Sequence, residues 1–276
     1  MPVIARLCTS LFIASLSFSA WSETLRIVTE PWAPYVYVEE GQAKGIDYEI
    51  TALVFARLGI QVQWQFLPWK RCLAMLEQGS ADGVLDIFQT HERDSHLLYP
   101  KEPLSEVEFV LYQANARPHP LKRFDDLKDL TVGVNPGYIY AEGFGTSAAF
   151  KREEAPSIEA NFGKLVRGRI DLVITDRRVG SHALRAMGLE DEVSPLPLTV
   201  SRQNQYLAVR RNAGMDLLVQ RFAAELKRFK REATYTELLH RYASQEVPTQ
   251  GPAIAGQPIS DAQMPNAVEQ QDRSAR

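Results

Sequence analysis

The 276 residues carry a formal net charge of −3, with 45% hydrophobic and 24% charged side chains, so the chain can bury a substantial core as one large domain or two small ones. That balance excludes a general nucleic-acid surface, which needs clustered Lys and Arg. Lys227, Arg228, Lys230 and Arg231 do cluster, but on a predicted helix whose solvated face they would form.

Residues 1–22 read as a secretory signal peptide. Arg6 gives a positive start, Leu7 to Phe18 is a short apolar run, and Ala20 and Ser22 are small residues suited to cleavage before Glu23. The run is shorter than the about 20 apolar residues a spanning helix needs. Cys8 precedes it in a context unsuited to lipidation, so the mature chain keeps only Cys72 and forms no internal disulfide.

Strands and helices then alternate. Leu25 to Thr29 is β-prone. Ile46, Ile50, Leu53, Val54 and Leu58 recur at helical spacing up to Gly59. Val62, Trp64 and Phe66 alternate as in a strand. Trp69, Cys72, Leu73 and Leu76 form a second helical stripe closed by Gly79, which places Cys72 in the core rather than as a reactive thiol. Gly83 to Ile87, the apolar Phe109 to Tyr112 and Thr131 to Val134 are further strand candidates. A helix through Ile158, Phe162, Leu165 and Val166 has Ser157 as N-cap and Gly168 as stop. Strands at Asp171 to Thr175 and Tyr206 to Val209 follow, then an amphipathic helix through Met215, Phe222 and Leu226. Thr234 and Glu237 resemble a capping box that opens a last helix through Tyr242. Residues 248–276 are rich in Pro, Gln, Ala, Ser and Asp without period, the composition of a disordered tail. Such βαβ repetition predicts mostly parallel sheets flanked by helices, with ligand residues just beyond the carboxyl ends of strands.

Four stretches in order carry a family resemblance. Gly45-Ile46-Asp47-Tyr48-Glu49-Ile50 is similar to the Gly-Phe-Asp-x-Asp-Leu signature of the family 3 extracellular solute-binding proteins, the polar-amino-acid-binding components of ABC transporters. Thr90-His91-Glu92-Arg93 resembles that family's Thr-Pro-Glu-Arg. Thr131 to Val134 with Gly137 resembles the strand and turn opening its second lobe. Gly168-Arg169-Ile170-Asp171 with Asp176 resembles its Gly-Arg-x-Asp and downstream aspartate. The resemblance spans about Thr24 to Tyr242. It implies an α/β, two-lobed Venus-flytrap fold, each lobe a mostly parallel sheet flanked by helices. Lobe one would comprise residues 23–112 and 203–247, lobe two residues 113–202, with hinge crossings near Tyr112 and Gln203.

The same resemblance implies a periplasmic monomer that captures a small polar, amino-acid-like molecule without metal or cofactor. An inner-membrane permease or a sensor protein would read the closed state. An α-amino acid presents a carboxylate and an ammonium about 2.5 Å apart. Arg93 would grip the carboxylate through two parallel N–H bonds and Asp176 would accept from the ammonium. Thr90 belongs to the Arg93 motif. Trp32 and Tyr35 would supply an aromatic wall. Arg71 either is solvated or points at the cleft.

Departures from the family pattern bear on the ligand. Asp86 and Phe88 stand where many members carry Gly, Ser or Thr, and Tyr138 stands where Thr is expected. An acidic Asp86 at the site would favour a cationic ligand; a buried or loop-capping Asp86 fits the sequence as well. Two other classes remain open, a sensing module and a periplasmic enzyme such as a dehydratase on the same fold. The sequence shows no hydrolase motif, and His91, His96, His119, His182 and His240 lack metal-binding spacing.

Overall fold

The structure, a computed structural model, describes residues 24–211 and 214–243; the expected signal peptide at 1–22 and tail at 248–276 lie outside them. The first half runs β1 (Leu25–Thr29), a hairpin of β2 (Tyr37–Glu39) and β3 (Gln42–Lys44), α1 (Ile46–Arg57), β4 (Val62–Phe66), α2 (Trp69–Glu77), β5 (Gly83–Phe88), the short α3 (His91–Asp94) and β6 (Leu97–Leu98). After β7 (Ser105–Ala114) and a 3-10 turn (Phe124–Leu127) come β8 (Thr131–Val134), β9 (Lys151–Glu154), α4 (Ile158–Val166), β10 (Leu172–Asp176) and α5 (Arg177–Met187). The chain returns through β11 (Val193–Arg210) to α6 (Asp216–Phe229) and α7 (Ala233–Ala243).

The strands join in the order β4-β1-β5-β11-β7-β10-β8-β9, with β6 beside β11. Each half of this series repeats one pattern. In the first, β4, β1 and β5 are parallel and β11 is antiparallel; in the second, β9, β8 and β10 are parallel and β7 is antiparallel. This is a two-lobed α/β fold, and β7 and β11 are the strands that pass between the halves. They pair from Ser105 opposite Gln205 to Ala114 opposite Val193. Tyr112 lies opposite Val173 of β10, and Gln203 lies opposite Val107.

Burial follows from helices covering both sheet faces. Along β7, Phe109 and Leu111 enter one core while Val110 and Tyr112 enter another, the period-2 alternation of a strand buried on two sides. In the first half, α1 packs on α6 through Phe55 and Phe222, whose ring centroids are 5.1 Å apart. The other face receives α2, and Cys72 is fully buried there among Val28, Val84 and Ile87. Burial pushes its thiol up to about 12, as expected of an inert core cysteine.

The signature glycine has a steric reason. Gly45 has φ +124°, and a Cβ there would sit 2.2 Å from the Tyr35 carbonyl oxygen. Its N–H donates to the Tyr242 hydroxyl at 2.9 Å, so the last helix ties down the start of α1.

The expected N-cap holds at Ser157, whose hydroxyl accepts from Ala160 N. The Thr234–Glu237 capping box does not form: α7 begins at Ala233, and the Thr234 hydroxyl donates to Glu232 instead. The β2–β3 hairpin, α3, β6, the 3-10 turn, β9 and α5 have no counterpart in the sequence reading. The last strand extends to 18 residues because polar Ser201 to Gln205, which break the apolar pattern, pair directly with β7.

Candidate functional site

A cleft opens where the ends of β1 and β5 meet the start of α2 and the loop after β8. Its walls are aromatic (Trp32, Trp69, Phe88, Tyr138) and its ionisable side chains are Glu30, Asp86 and Arg93. This is the place that parallel α/β sheets leave for a ligand, beyond the carboxyl ends of strands.

Glu30 immediately follows β1 and organises the floor. Its Oε1 accepts from the backbone N–H of Trp69 at 3.1 Å. The N-cap position of α2 is Pro68, which offers no side-chain acceptor, so Glu30 supplies the missing cap and sits favourably at the positive helix end. Its Oε2 accepts from the Tyr138 hydroxyl at 2.6 Å. Burial and then the Glu30 charge hold the Tyr138 phenol well above its ordinary range, so it stays a donor.

Trp32 stands in the middle of the aromatic wall. It stacks on Tyr35 with centroids 5.2 Å apart and meets the edge of Tyr138 at 6.2 Å. Phe88 packs edge-on against Phe109 behind it, at 5.8 Å.

Arg93 is carried by α3, which Thr90 caps by accepting from Arg93 N at 3.3 Å. The guanidinium donates Nη1 to the Phe88 carbonyl at 3.0 Å and lies over the Trp69 ring, 5.9 Å from its centroid. Partial burial lowers its pKa, but an arginine starts so high that it remains a cation. One arm is anchored, which leaves the other edge of the planar fork for an anion.

Asp86 occupies a bulge. β5 and β11 pair Val84 with Ala208 and Ile87 with Tyr206, so Leu85 and Asp86 together face Leu207. Asp86 takes the left-handed φ of +61° that such a bulge requires and that Asp tolerates. It is buried, and burial raises its carboxyl well above the usual range.

Five of the residues singled out from sequence therefore meet in one cleft: Trp32, Asp86, Phe88, Arg93 and Tyr138. Tyr35 lies fully buried behind Trp32, and Thr90 lies beneath Arg93. Arg71 is exposed on α2 and outside the lining. Asp176 is also outside it. It is buried at 1% exposure as the N-cap of α5, accepting from Arg178 N, Val179 N, Glu108 N and the Tyr35 hydroxyl. The sequence reading gives Glu30 no place at the site and has Trp69 only as part of a helix stripe. Position after β1 was the signal that could have placed Glu30.

A second chamber lies beyond Trp32 and Tyr138, over the N-terminus of α4, and shares Glu30 with the first. Its far wall includes Ser157, Glu159, Thr175 and His182.

The profile of the family described as bacterial extracellular solute-binding proteins, family 3, matches residues 25–245. A curated relative, the probable amino-acid-binding protein YxeM of Bacillus subtilis (strain 168), is 22% identical over 219 residues, covering 78% of this chain and 81% of its own. A histidine kinase sensor domain with similarity to periplasmic binding proteins superposes with TM-score 0.71 at 18% identity, covering 80% of this chain and 96% of that one. The amino acid ABC transporter substrate-binding protein AbpA of Streptococcus pneumoniae, bound to L-arginine, superposes with TM-score 0.69 at 18% identity, covering 80% and 94%. At these identities the superpositions show the fold, and the profile shows the family. The chain belongs to the family 3 extracellular solute-binding proteins.

Proposed function

We propose that this protein captures a small, amino-acid-like ligand carrying both a carboxylate and a cationic group. The observation that carries the reading is the placement of Arg93 and Glu30 in one aromatic-walled cleft. The free edge of the Arg93 fork takes the carboxylate. Glu30 and the faces of Trp32, Trp69 and Tyr138 receive the cationic end. Asp176 joins the set where an ammonium group displaces the Tyr35 hydroxyl from its Oδ1. Capture is non-catalytic in this reading, and no cofactor takes part.

In this reading the lobes are residues 23–112 with 203–247, and residues 113–202, the signal peptide at 1–22 directs the chain to the periplasm, and the mature protein works as a monomer. Ligand closure is then read by an ABC permease. A sensor protein is the second reading, favoured by the fold shared with a kinase sensor domain. Adjacent permease and ATPase genes support the first, and an adjacent sensor kinase the second.

A thermal-shift screen of the mature protein with amino acids, polyamines and small organic acids tests capture. A ligand raises the melting temperature with concentration, and Arg93→Ala abolishes the rise. A flat response across the panel overturns the reading, and turnover of a hit, seen by mass spectrometry, replaces it with an enzyme.

A further inference from the structure

Behind the cleft floor lies a set of buried polar atoms that ordinary pairing leaves unsatisfied. Asp47 is fully buried at the start of α1. Its Oδ2 accepts from the Ser105 hydroxyl at 2.6 Å, while its Oδ1 has no partner. Asp86 has two buried oxygens without a partner, and Gln205, fully buried, has an unpartnered Nε2. Orphaned buried groups on this scale demand an explanation.

The bulge in β5 brings the pieces together. Along an unbroken strand Asp86 would face the same side as Val84, toward α2. Leu85 instead belongs to the core under α1 while Val84 and Ile87 share the α2 side, so the extra residue turns Asp86 with Leu85 toward α1. There its two unpartnered oxygens face the end of α1 that carries Asp47, whose Oδ1 is unpartnered too, and the two buried carboxyls are close enough to shift one another's titration.

Two carboxylates cannot both be charged and in contact in a buried site. A single proton on Asp86, donated to Asp47 Oδ1, satisfies an atom of each. With the Gln205 amide turned about its last bond, Nε2 donates to Ser105 Oγ across the 2.9 Å between the side chains, and Ser105 donates onward to Asp47. The chain of donors then runs Gln205, Ser105, Asp47, with Asp86 donating from the other side. Ser105 and Gln205 are paired residues on β7 and β11, the strands that join the lobes.

We propose that Asp86 and Asp47 share one proton, and that this proton clamps the floor of the ligand cleft to the paired strands between the lobes. Asp86 is the acid and Asp47 the carboxylate. The surrounding charged and titratable groups fit this order. Lys230 after α6 and Arg178 on α5 favour a charged Asp47, Tyr35 and Tyr235 of α7 face it as neutral phenols, and Tyr138 faces Asp86. Burial pushes Asp47 up to about 6 and raises Asp86 well above its ordinary value. The pair acts as a positioning device, since loss of its proton sets two charges against each other between α1 and β5.

The sign follows. A carboxyl raised in the folded state is protonated there while its unfolded counterpart is ionised, so stability falls as pH rises from about 4 through the folded value. Asp86→Asn keeps a donor to Asp47 and tolerates the positive φ, so it folds and loses this dependence. The test is carried out on the ligand-free protein. In carbon-13 spectra of aspartate-labelled wild type, one carboxyl remains protonated at pH 7, and Asp86→Asn removes that signal. Asp47→Asn lowers the pH at which the Asp86 carboxyl titrates. The unfolding constant of wild type relative to Asp86→Asn rises up to about tenfold per pH unit within the window. At pH 8 the amides of Ser105 to Val107 and Gln205 to Leu207 exchange faster in wild type than in Asp86→Asn, and equally at pH 5. Full ionisation of every aspartate at pH 7, or an Asp86 titration indifferent to Asp47→Asn, overturns the shared proton. Equal exchange at pH 8 overturns the clamp.

Discussion

Tyr138 and Glu30 meet across the cleft in a 2.6 Å hydrogen bond, phenol to carboxylate, while the other Glu30 oxygen holds the first turn of α2. One side chain thus links β1, α2 and the loop that follows β8. Glu30 keeps spare lone pairs after both bonds, so a ligand cation reaches it without breaking either.

Replacing Tyr138 by Phe keeps the ring and removes the donor. A hydrogen bond to a charged acceptor contributes about 1.5–3 kcal/mol, and that stabilisation belongs to the arrangement in which the two loops touch. Ligand affinity should fall by about tenfold, since 1.4 kcal/mol is one decade, and the free protein should occupy a more open shape. Calorimetry with the ligand found by thermal shift, together with small-angle scattering, measures both. Unchanged affinity and unchanged scattering would show that the bond does not help close the cleft.

Arg93 offers a sharper test of ligand chemistry. Lysine preserves the charge and most of the stem but presents a point donor in place of a planar fork. With Nη1 anchored on the Phe88 carbonyl, the fork is fixed in orientation, which lysine cannot reproduce. Affinity for a carboxylate ligand should drop at least about tenfold in Arg93→Lys, with a melting temperature close to that of wild type. If the carboxylate lies elsewhere, both quantities stay put.

Much of this was legible in the sequence because its signals are local. Helical spacing from Ile46 to Leu58 and the stop at Gly59 fixed α1, and the serine before Ile158 marked α4. The element α5 is equally signalled, by Asp176 as a capping residue and Val179, Ala183 and Leu184 on one face, but Asp176 also fits a family motif, and that second fit masks the cap. Two features depend on packing between distant segments. The bulge that gives Asp86 its positive φ exists only against β11, about 120 residues along the chain, and no propensity encodes it. Glu30 gains its place from a helix start and a tyrosine on separate elements. The aromatic wall was half visible, since Trp32 was expected at the site and Trp69 in the core.

The paired strands β7 and β11 carry their own acid dependence. Glu108 on β7 accepts from Arg177 Nε and Arg202 Nη2, each at 2.7 Å, and from the Thr199 hydroxyl at 2.6 Å. Burial pulls its carboxyl upward, yet the Arg177, Thr199 and Arg202 contacts outweigh it and hold the group below its ordinary value. A carboxyl depressed in the folded state contributes above its unfolded value of about 4.3 and loses that contribution as pH falls through the folded value. Glu108→Gln should therefore cost about 1–2 kcal/mol at pH 7, after allowance for the partly exposed arginines. The difference should shrink steadily as pH falls below about 4. Urea unfolding of both proteins across that range decides it, and a gap independent of pH would assign the effect to shape rather than charge.

Asp176 poses the hardest separation of ligand binding from folding. Its Oδ1 caps α5 through Arg178 N and Val179 N and also accepts from Tyr35, while Oδ2 accepts from Glu108 N at 2.9 Å. Alanine would orphan all these donors in a fully buried place, so its effect on binding could come from unfolding alone. Asparagine retains an oxygen for the two helix N–H groups, and Asn is as good a cap as Asp. It turns an amide N–H toward Glu108 N, however, which sets donor against donor at about 1–3 kcal/mol. Asp176→Asn should consequently melt lower but fold. Titrated well below that melting temperature, where the folded fraction is complete, its affinity isolates the charge. A fall of tenfold or more there means that a ligand ammonium reaches Asp176 in place of the Tyr35 hydroxyl. Affinity equal to wild type confines Asp176 to capping α5 and tying it to β7, and leaves Glu30 as the group that takes the cation.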